Sequence, residues 1–381
     1  MTTTATKALH REQFPILETG TYLVSHSMGA APLGAKAALD SYWNDWATDG
    51  PEAWERWLPE IGVIADGIGT LIGAPPGSVF LGPNVSVLQA ALATSLEFRG
   101  ERNEVVYEAL QFPSLTYVWT EWERYGAKVR VVGSDDGRSI PTERIIESIS
   151  ERTRIAVLSH AYYVSGALAD VREIQQHCRK VGALLCVDAY QTTGTYPYDV
   201  CQWDLDIVTG GSHKWLLGGP GCGWIYVRPA LLEQFRPAVT GWMAHASPFT
   251  FEDAPIRYAP SMYRFGTGTP TIPGYLVAKP GHDLIRDVGI LRIREHNVRL
   301  TTKLADMALE RKLSVNSPLD PHKRTGWIGI DFDDSERVCH QLIGERVFVD
   351  YRPGCGIRVS PHFYTTDEEI DRFFAVLDRL R

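Results

Sequence analysis

The sequence predicts an α/β fold, with one large, mostly parallel sheet covered by helices and a small α+β C-terminal domain. Three observations predict it. Between Ile72 and Pro229, short apolar segments alternate with amphipathic segments of helical period. The short segments lack the strict apolar–polar alternation of a sheet with one wet face, so they read as strands buried on both sides. The 381 residues also exceed one ordinary domain of about 100–200 residues.

Taken in order, a strand over 79–81 precedes a helix over 85–96, and a strand over 104–108 precedes a helix over 114–125. The pattern repeats as 128–133 with 141–150, then 154–161 with 171–181. An apolar strand over 183–187 runs into Asp188, and strands over 206–210 and 223–227 close the series. Residues 238–270 are rich in Gly, Pro and aromatics without a period, which suits a loop region over a site. Long helical patterns span 275–312, followed by a strand at 327–332, a helix at 335–344 and strands near 347–351 and 357–359. Thr366 caps a last helix, in which Ile370, Phe373, Phe374 and Leu377 share one face. The expected division is an N-terminal segment 1–50 packing with the small domain, a large domain 51–289 and a small domain 290–381.

Composition narrows the function. Lys and Arg number 38 against 46 Asp and Glu, a net charge of −8, and a nucleic-acid partner needs a concentrated basic surface instead. Cys178, Cys186, Cys201, Cys222, Cys339 and Cys355 form no CxxC pair, so neither a metal site nor a disulfide framework is expected. Met1 to Lys7 lacks the apolar core of a secretory signal, and no apolar run approaches the ~18–20 residues of a membrane span. A soluble, cytoplasmic protein with reduced thiols is the expectation.

The chemistry concentrates at two strand ends. The strand over 183–187 delivers Asp188, and the next delivers Lys214 within Gly-Gly-Ser-His-Lys-Trp at 210–215. In a parallel sheet both ends lie on the edge where ligands bind. Alone, Asp188 reads as a surface or capping residue and Lys214 as a solvated loop lysine. Together they supply a nucleophilic amine and a carboxylate, which is what pyridoxal phosphate uses: a Lys for its aldehyde and an acid for its pyridine nitrogen.

Further motifs extend this pair: Tyr-Leu-Val-Ser-His-Ser-Met-Gly at 22–29, Phe-Pro-Ser at 112–114, Leu-Ser-His at 158–160 with Ser165 and Gly166, Gly241 with Trp242, Gly-Thr-Pro at 268–270 and Gly-Ile-Arg-Val at 356–359. With them the chain resembles, over nearly its whole length, the fold-type I pyridoxal-phosphate enzymes of the class V aminotransferase family, most of all the kynureninase branch. The resemblance implies that Lys214 forms the aldimine and acts as base, with Asp188 on the pyridinium. Val85 and Ser86, at a helix N-terminus, would take the phosphate. Phe112 would stack on the ring, and Ser165, Gln191 and His213 would lie around the cofactor. Trp242 and Thr269 match phosphate-binding positions, Thr269 coming from the neighbouring subunit of a homodimer. Arg358 would bind the substrate α-carboxylate, for an Arg on an apolar strand needs an anion. His26 and Ser27 would line the substrate side, and Arg352 would be structural.

Four positions depart from the kynureninase pattern: Leu115 replaces Asp, Tyr162 replaces Asn, Gln191 replaces His, and His213 replaces Tyr. The departures put hydrolysis of kynurenine itself in doubt. The expected activity is cleavage or elimination at the Cβ or Cγ of an α-amino acid. The alternatives are transamination, a cysteine desulfurase or C–S lyase reaction using Cys355, and an inactive cofactor-binding relative.

Overall fold

The computed structural model describes residues 8–381, so the reading of Met1 to Lys7 lies outside the described residues. After the two-residue strand β1 (Thr21–Tyr22) come β2 (Val79–Gly82), β3 (Glu104–Glu108), β4 (Lys128–Val132), β5 (Thr153–Ser159), β6 (Leu184–Asp188), β7 (Ile207–Gly211) and β8 (Gly223–Val227). These last seven form one sheet in the order β2-β8-β7-β6-β5-β3-β4. Strand β8 runs antiparallel to both its neighbours, while β3 to β7 are parallel. Parallel pairing puts Glu108, Ser159, Asp188 and Gly211 on one edge of the sheet, since Ser159 lies beside Asp188 in register.

The missing alternation has a direct cause. Along each strand, successive side chains enter two different apolar cores, one on each face. Val106, Ala156, Leu158, Leu185, Val187 and Val208 pack into one, and Val105, Ile155, Val157, Cys186 and Ile207 into the other. Burial of each Val, Leu or Ile contributes about 1.5–3 kcal/mol.

The C-terminal part carries β9 (Ser314–Val315), β10 (Ile328–Asp331), β11 (Val347–Phe348), β12 (Asp350–Arg352) and β13 (Gly356–Val359). Four of them form a sheet ordered β12-β13-β10-β9, and β11 pairs in parallel with β1. The single strand expected near 347–351 is therefore two, belonging to different sheets. The last helix, Asp367–Leu380, has a full capping box: the Glu369 N–H donates to Thr366 Oγ1 and the Thr366 N–H to Glu369 Oε2. It buries Ile370, Phe373, Phe374 and Leu377 against Ile328, Ile330 and Val359.

Two helices were not foreseen, Leu33–Asp49 and Trp54–Leu71. The first buries none of its residues, so its sequence lacks an apolar stripe to read. It lies against the helix Ile272–Val288, where Pro280 meets Gly34 so closely that a Cβ there would sit 2.8 Å away. The helical pattern of 275–312 breaks at Gly289, whose φ of +86° separates Ile272–Val288 from Ile290–Glu310. No helix among the described residues is long and apolar enough to cross a membrane.

Candidate active site

At the ligand edge of the sheet, β6 ends on Asp188 and the turn after β7 carries Lys214. Asp188 is buried, and among the described residues its carboxylate accepts one hydrogen bond, from the Tyr190 N–H at 2.9 Å. Burial pushes its acid up from 3.8 to about 6, opposed by that N–H and by the charge of Lys214. Burial also lowers Lys214, from 10.5 to about 8, with Asp188 pulling the other way and Arg358 adding to the fall. The ammonium sits 4.8 Å from the centroid of the Tyr190 ring and 5.5 Å from that of Phe112. An enclosed carboxylate and an amine poised near neutrality thus share one chamber.

That chamber has a volume of about 210 Å³ and is lined by Val85, Ser86, Phe112, Asp188, Tyr190, Gln191, His213 and Lys214 among others. Val85 and Ser86 open the helix Val85–Thr94, where Asn84 caps by accepting from the Val87 N–H at 3.0 Å. The first N–H groups of a helix have no partner within it, so those of Val85 and Ser86 offer an anion seat. Gly223 lets β8 approach this turn: a Cβ there would lie 2.8 Å from the Asn84 carbonyl carbon. Phe112 enters just before Pro113 opens the next helix, and Tyr163 meets its ring edge to face at 5.3 Å. The Gln191 amide is committed, donating to the His26 carbonyl at 3.1 Å and accepting from the Trp215 indole at 3.2 Å. His213 lies with its Nδ1 3.5 Å from the Tyr190 hydroxyl, and burial lowers its ring to about 4, so it is neutral at pH 7.

Arg358 acts electrostatically on Lys214 from β13 and is itself buried. Its Nε and Nη2 donate to the two oxygens of Asp350, at 2.8 and 2.5 Å, and its Nη1 donates to the Tyr163 carbonyl at 2.9 Å. Its expected counter-ion role is thus met first by a carboxylate of the protein. Instead of lining the chamber, His26 is buried beside this pair, with Nε2 2.8 Å from Asp350 Oδ1 and Nδ1 2.8 Å from Ser360 Oγ. Ser27 follows in a turn, its N–H donating to the Val24 carbonyl at 2.9 Å, and it too lies off the chamber wall.

Four further positions lie apart from the chamber in a single chain. Ser165 is fully buried and spends its hydroxyl in the turn at Gly166, donating to the Arg138 carbonyl and accepting from the Ala167 N–H. Trp242 is partly exposed and stacks on Phe251, and Thr269 lines a separate, smaller cavity beside Phe80 and Tyr263. Cys355 is buried with Trp215 and Trp327, and burial pushes its thiol up to about 12.

The structure also adds groups that sequence reasoning missed. Tyr190 follows Asp188 by two residues and lies so close to Gly211 that a Cβ there would be 1.8 Å from its hydroxyl. Asp350 lies opposite Arg358 in the antiparallel register of β12 and β13, a pairing invisible before the strands were aligned. Behind the chamber, Glu108 accepts from the Ser159 N–H, its other oxygen and the Tyr162 hydroxyl are buried without a hydrogen-bond partner among the described residues, and burial raises its acid to about 8. Only the apolar strand ending in a lone acid at Glu108 signalled it.

The donor set fits pyridoxal phosphate: an enclosed acid lacking a cationic hydrogen-bond partner, a low-lying lysine, an aromatic wall and a helix N-terminus converge on one space. Comparisons with known proteins agree. The chain is 30% identical to an uncharacterized aminotransferase, YcbU, of Bacillus subtilis (strain 168), over 95% of this chain and 94% of that one. It is 26% identical to a kynureninase of Geobacillus thermodenitrificans (strain NG80-2), over 97% and 90%, and 27% identical to a kynureninase of Pseudomonas fluorescens, over 94% and 89%. Among solved structures it resembles the apo cysteine desulfurase of Thermococcus onnurineus NA1 with a TM-score of 0.86, at 20% identity over 97% of this chain and 96% of that chain. The cystine C–S lyase C-DES, in complex with its product cysteine persulfide, gives a TM-score of 0.85 at 20% identity, over 97% and 99%. A family model, Aminotransferase class-V, matches residues 79–373, and the chain therefore belongs to the class V aminotransferase family of fold-type I enzymes, which work with pyridoxal phosphate.

Proposed function

We propose that this enzyme cleaves or eliminates at the Cβ or Cγ of a small α-amino acid. The observation that carries the proposal is the single chamber joining Lys214, Asp188, Phe112 and the Val85–Thr94 N-terminus, with Arg358 acting on it from β13. When bound, pyridoxal phosphate supplies an electron sink for the substrate's α-carbon. Val85 and Ser86 would hold its phosphate through backbone N–H groups, Phe112 would cover its ring, and Asp188 would keep its pyridine nitrogen protonated. Gln191 braces the chamber through His26 and Trp215, and neutral His213 lines it beside Tyr190. Lys214 would be the residue that holds the cofactor, and its Nζ, lowered to about 8, would be the group that takes and returns the substrate's α-proton near neutral pH. Arg358 orients the substrate by its carboxylate and so sets which bond of the α-carbon is broken.

In this reading residues 51–289 hold the cofactor and 290–381 bring Arg358; of the N-terminal segment, β1 pairs with β11 of the smaller part, whereas the helix Leu33–Asp49 lies against Ile272–Val288 of the larger one, contrary to the expectation that all of 1–50 joins the small domain. Trp242 and Thr269 serve the chamber of a second copy in a homodimer. The exposed Leu39, Trp43 and Trp46, spaced along one side of a helix, and the exposed Phe249 and Phe251 beside Trp242 support such a partner. Six free thiols suit the cytoplasm.

Kynureninase relatives at 26–27% identity support bond cleavage in the side chain, although Leu115, Tyr162, Gln191 and His213 speak against kynurenine itself. A desulfurase reaction through Cys355 is disfavoured, because a thiol titrating near 12 between two indoles is no nucleophile at neutral pH. Transamination is the second reading, favoured by the 30% identical relative named an aminotransferase. A screen of amino acids with the loaded enzyme separates them. We expect alanine, pyruvate or another side-chain cleavage product without any added keto acid. Turnover that requires a keto acid as co-substrate would establish transamination instead.

A further inference from the structure

We propose that Asp350 is a positioning residue that grips one edge of the Arg358 guanidinium and leaves a pair of its N–H groups for the substrate's carboxylate. The inference rests on the reading above that Arg358 binds that carboxylate, and it explains how a buried arginine already bound to an acid does so. A guanidinium has five N–H groups in a rigid plane. Asp350 takes the Nε–H and one on Nη2, and the Tyr163 carbonyl takes one on Nη1. One N–H then remains on each terminal nitrogen, the number a carboxylate engages in a two-pronged pair.

Asp350 is itself held. Ser360 Oγ accepts from the His26 backbone N–H at 3.2 Å, so its own hydrogen is free to point at His26 Nδ1, 2.8 Å away. That pattern leaves the second ring nitrogen, Nε2, as the N–H donor to Asp350 at 2.8 Å. Burial lowers the His26 ring to about 4, so at pH 7 it donates without adding charge. The indole of Trp327 lies against both groups, 5.6 Å from the His26 ring and 5.5 Å from the Arg358 carbon. Arg352, half exposed with Nη2 3.5 Å from Asp350 Oδ2, is a looser neighbour of the same acid. The loop that carries His26 also docks beside the lysine, since the Gly29 N–H donates to the His213 carbonyl at 2.8 Å. The orientation of Arg358 is thereby referred to the chain that holds Lys214.

Charge and position make opposite forecasts here, which makes the idea testable. Removing a negative charge beside a carboxylate seat should, on charge alone, tighten binding of an amino acid. Loss of positioning should weaken it. The full-length protein loaded with pyridoxal phosphate is titrated, by its visible absorbance, with L-alanine and with ethylamine, the same molecule without its carboxylate. Wild type is compared with Asp350→Asn and Arg358→Gln. We expect both variants to need about tenfold or more L-alanine, with ethylamine unchanged. An Asp350→Asn protein that binds L-alanine as well as wild type, or loses both probes equally, overturns the positioning role while leaving Arg358 in place. If Arg358→Gln also binds L-alanine unchanged, or wild type does not distinguish the two probes, the carboxylate reading of Arg358 falls and this role with it. Should Asp350→Asn fail to load cofactor, His26→Phe, which keeps a ring against Trp327 but removes the donor, must show a loss of about threefold in the same sense; no loss there overturns the proposal.

Discussion

Lys214 is where burial and charge meet most sharply. Its ordinary value of 10.5 falls to about 8, so the neutral amine dominates above pH 8 and is lost as the pH falls below it. In the cofactor-free protein, labelling of Lys214 by an amine-reactive reagent, followed peptide by peptide in a mass spectrometer, should reach half its limit near pH 8. An exposed lysine goes on rising toward about 10.4. Asp188→Asn removes the charge that holds the ammonium up and should move the midpoint lower still; a midpoint near 10 in either protein contradicts the account. This pair was legible in the sequence because Asp188 ends one apolar strand and Lys214 lies in the turn that follows the next. Ser165 and His26 were misplaced for the opposite reason. Their polar groups are absorbed by partners remote in sequence, Arg138 and Asp350, which no local motif reveals.

At the scale of elements, the site is made where strand ends, one helix N-terminus and the loop 24–29 touch. The strands from 79 to 227 were readable as short apolar runs buried on both faces, and the helices between them by their period. The helix Leu33–Asp49 was not, because it buries nothing, and Trp54–Leu71 went unread although Trp57, Ile61, Ile64 and Ile68 recur at helical spacing, because Pro59 argues locally against a helix. Nor was the docking of loop 24–29, which depends on Gly29: a Cβ there would stand 2.3 Å from the Lys214 carbonyl oxygen and 2.9 Å from the Leu217 Cα. Backbone cannot yield as a flexible side chain does, so Gly29→Ala should destabilise the protein by about 1–3 kcal/mol and weaken cofactor binding. Thermal unfolding and titration with pyridoxal phosphate check both. An unchanged melting temperature and affinity would show that the loop is not braced against the lysine turn.

The whole molecule places its chemistry at the junction of two unlike halves. A sheet buried on both faces holds Asp188 and Lys214 rigid, and a four-stranded sheet brings Arg358 to them with Asp350 and His26 already attached. The net charge of −8 set aside polyanions, yet the site concentrates Lys214, Arg352 and Arg358 around Asp188 and Asp350, which suits one phosphate and one carboxylate. Overall architecture was legible because burial leaves short apolar runs and helical periods along the chain; the contents of the junction were not, because register between distant strands leaves no such trace. All of this turns on Lys214 being the residue that carries the cofactor. Protein loaded with pyridoxal phosphate, reduced with borohydride and digested tests it directly. The account predicts the pyridoxyl group on the peptide containing Lys214, and its absence from Lys214→Ala; a label on another lysine, or an undiminished label in that variant, would contradict it.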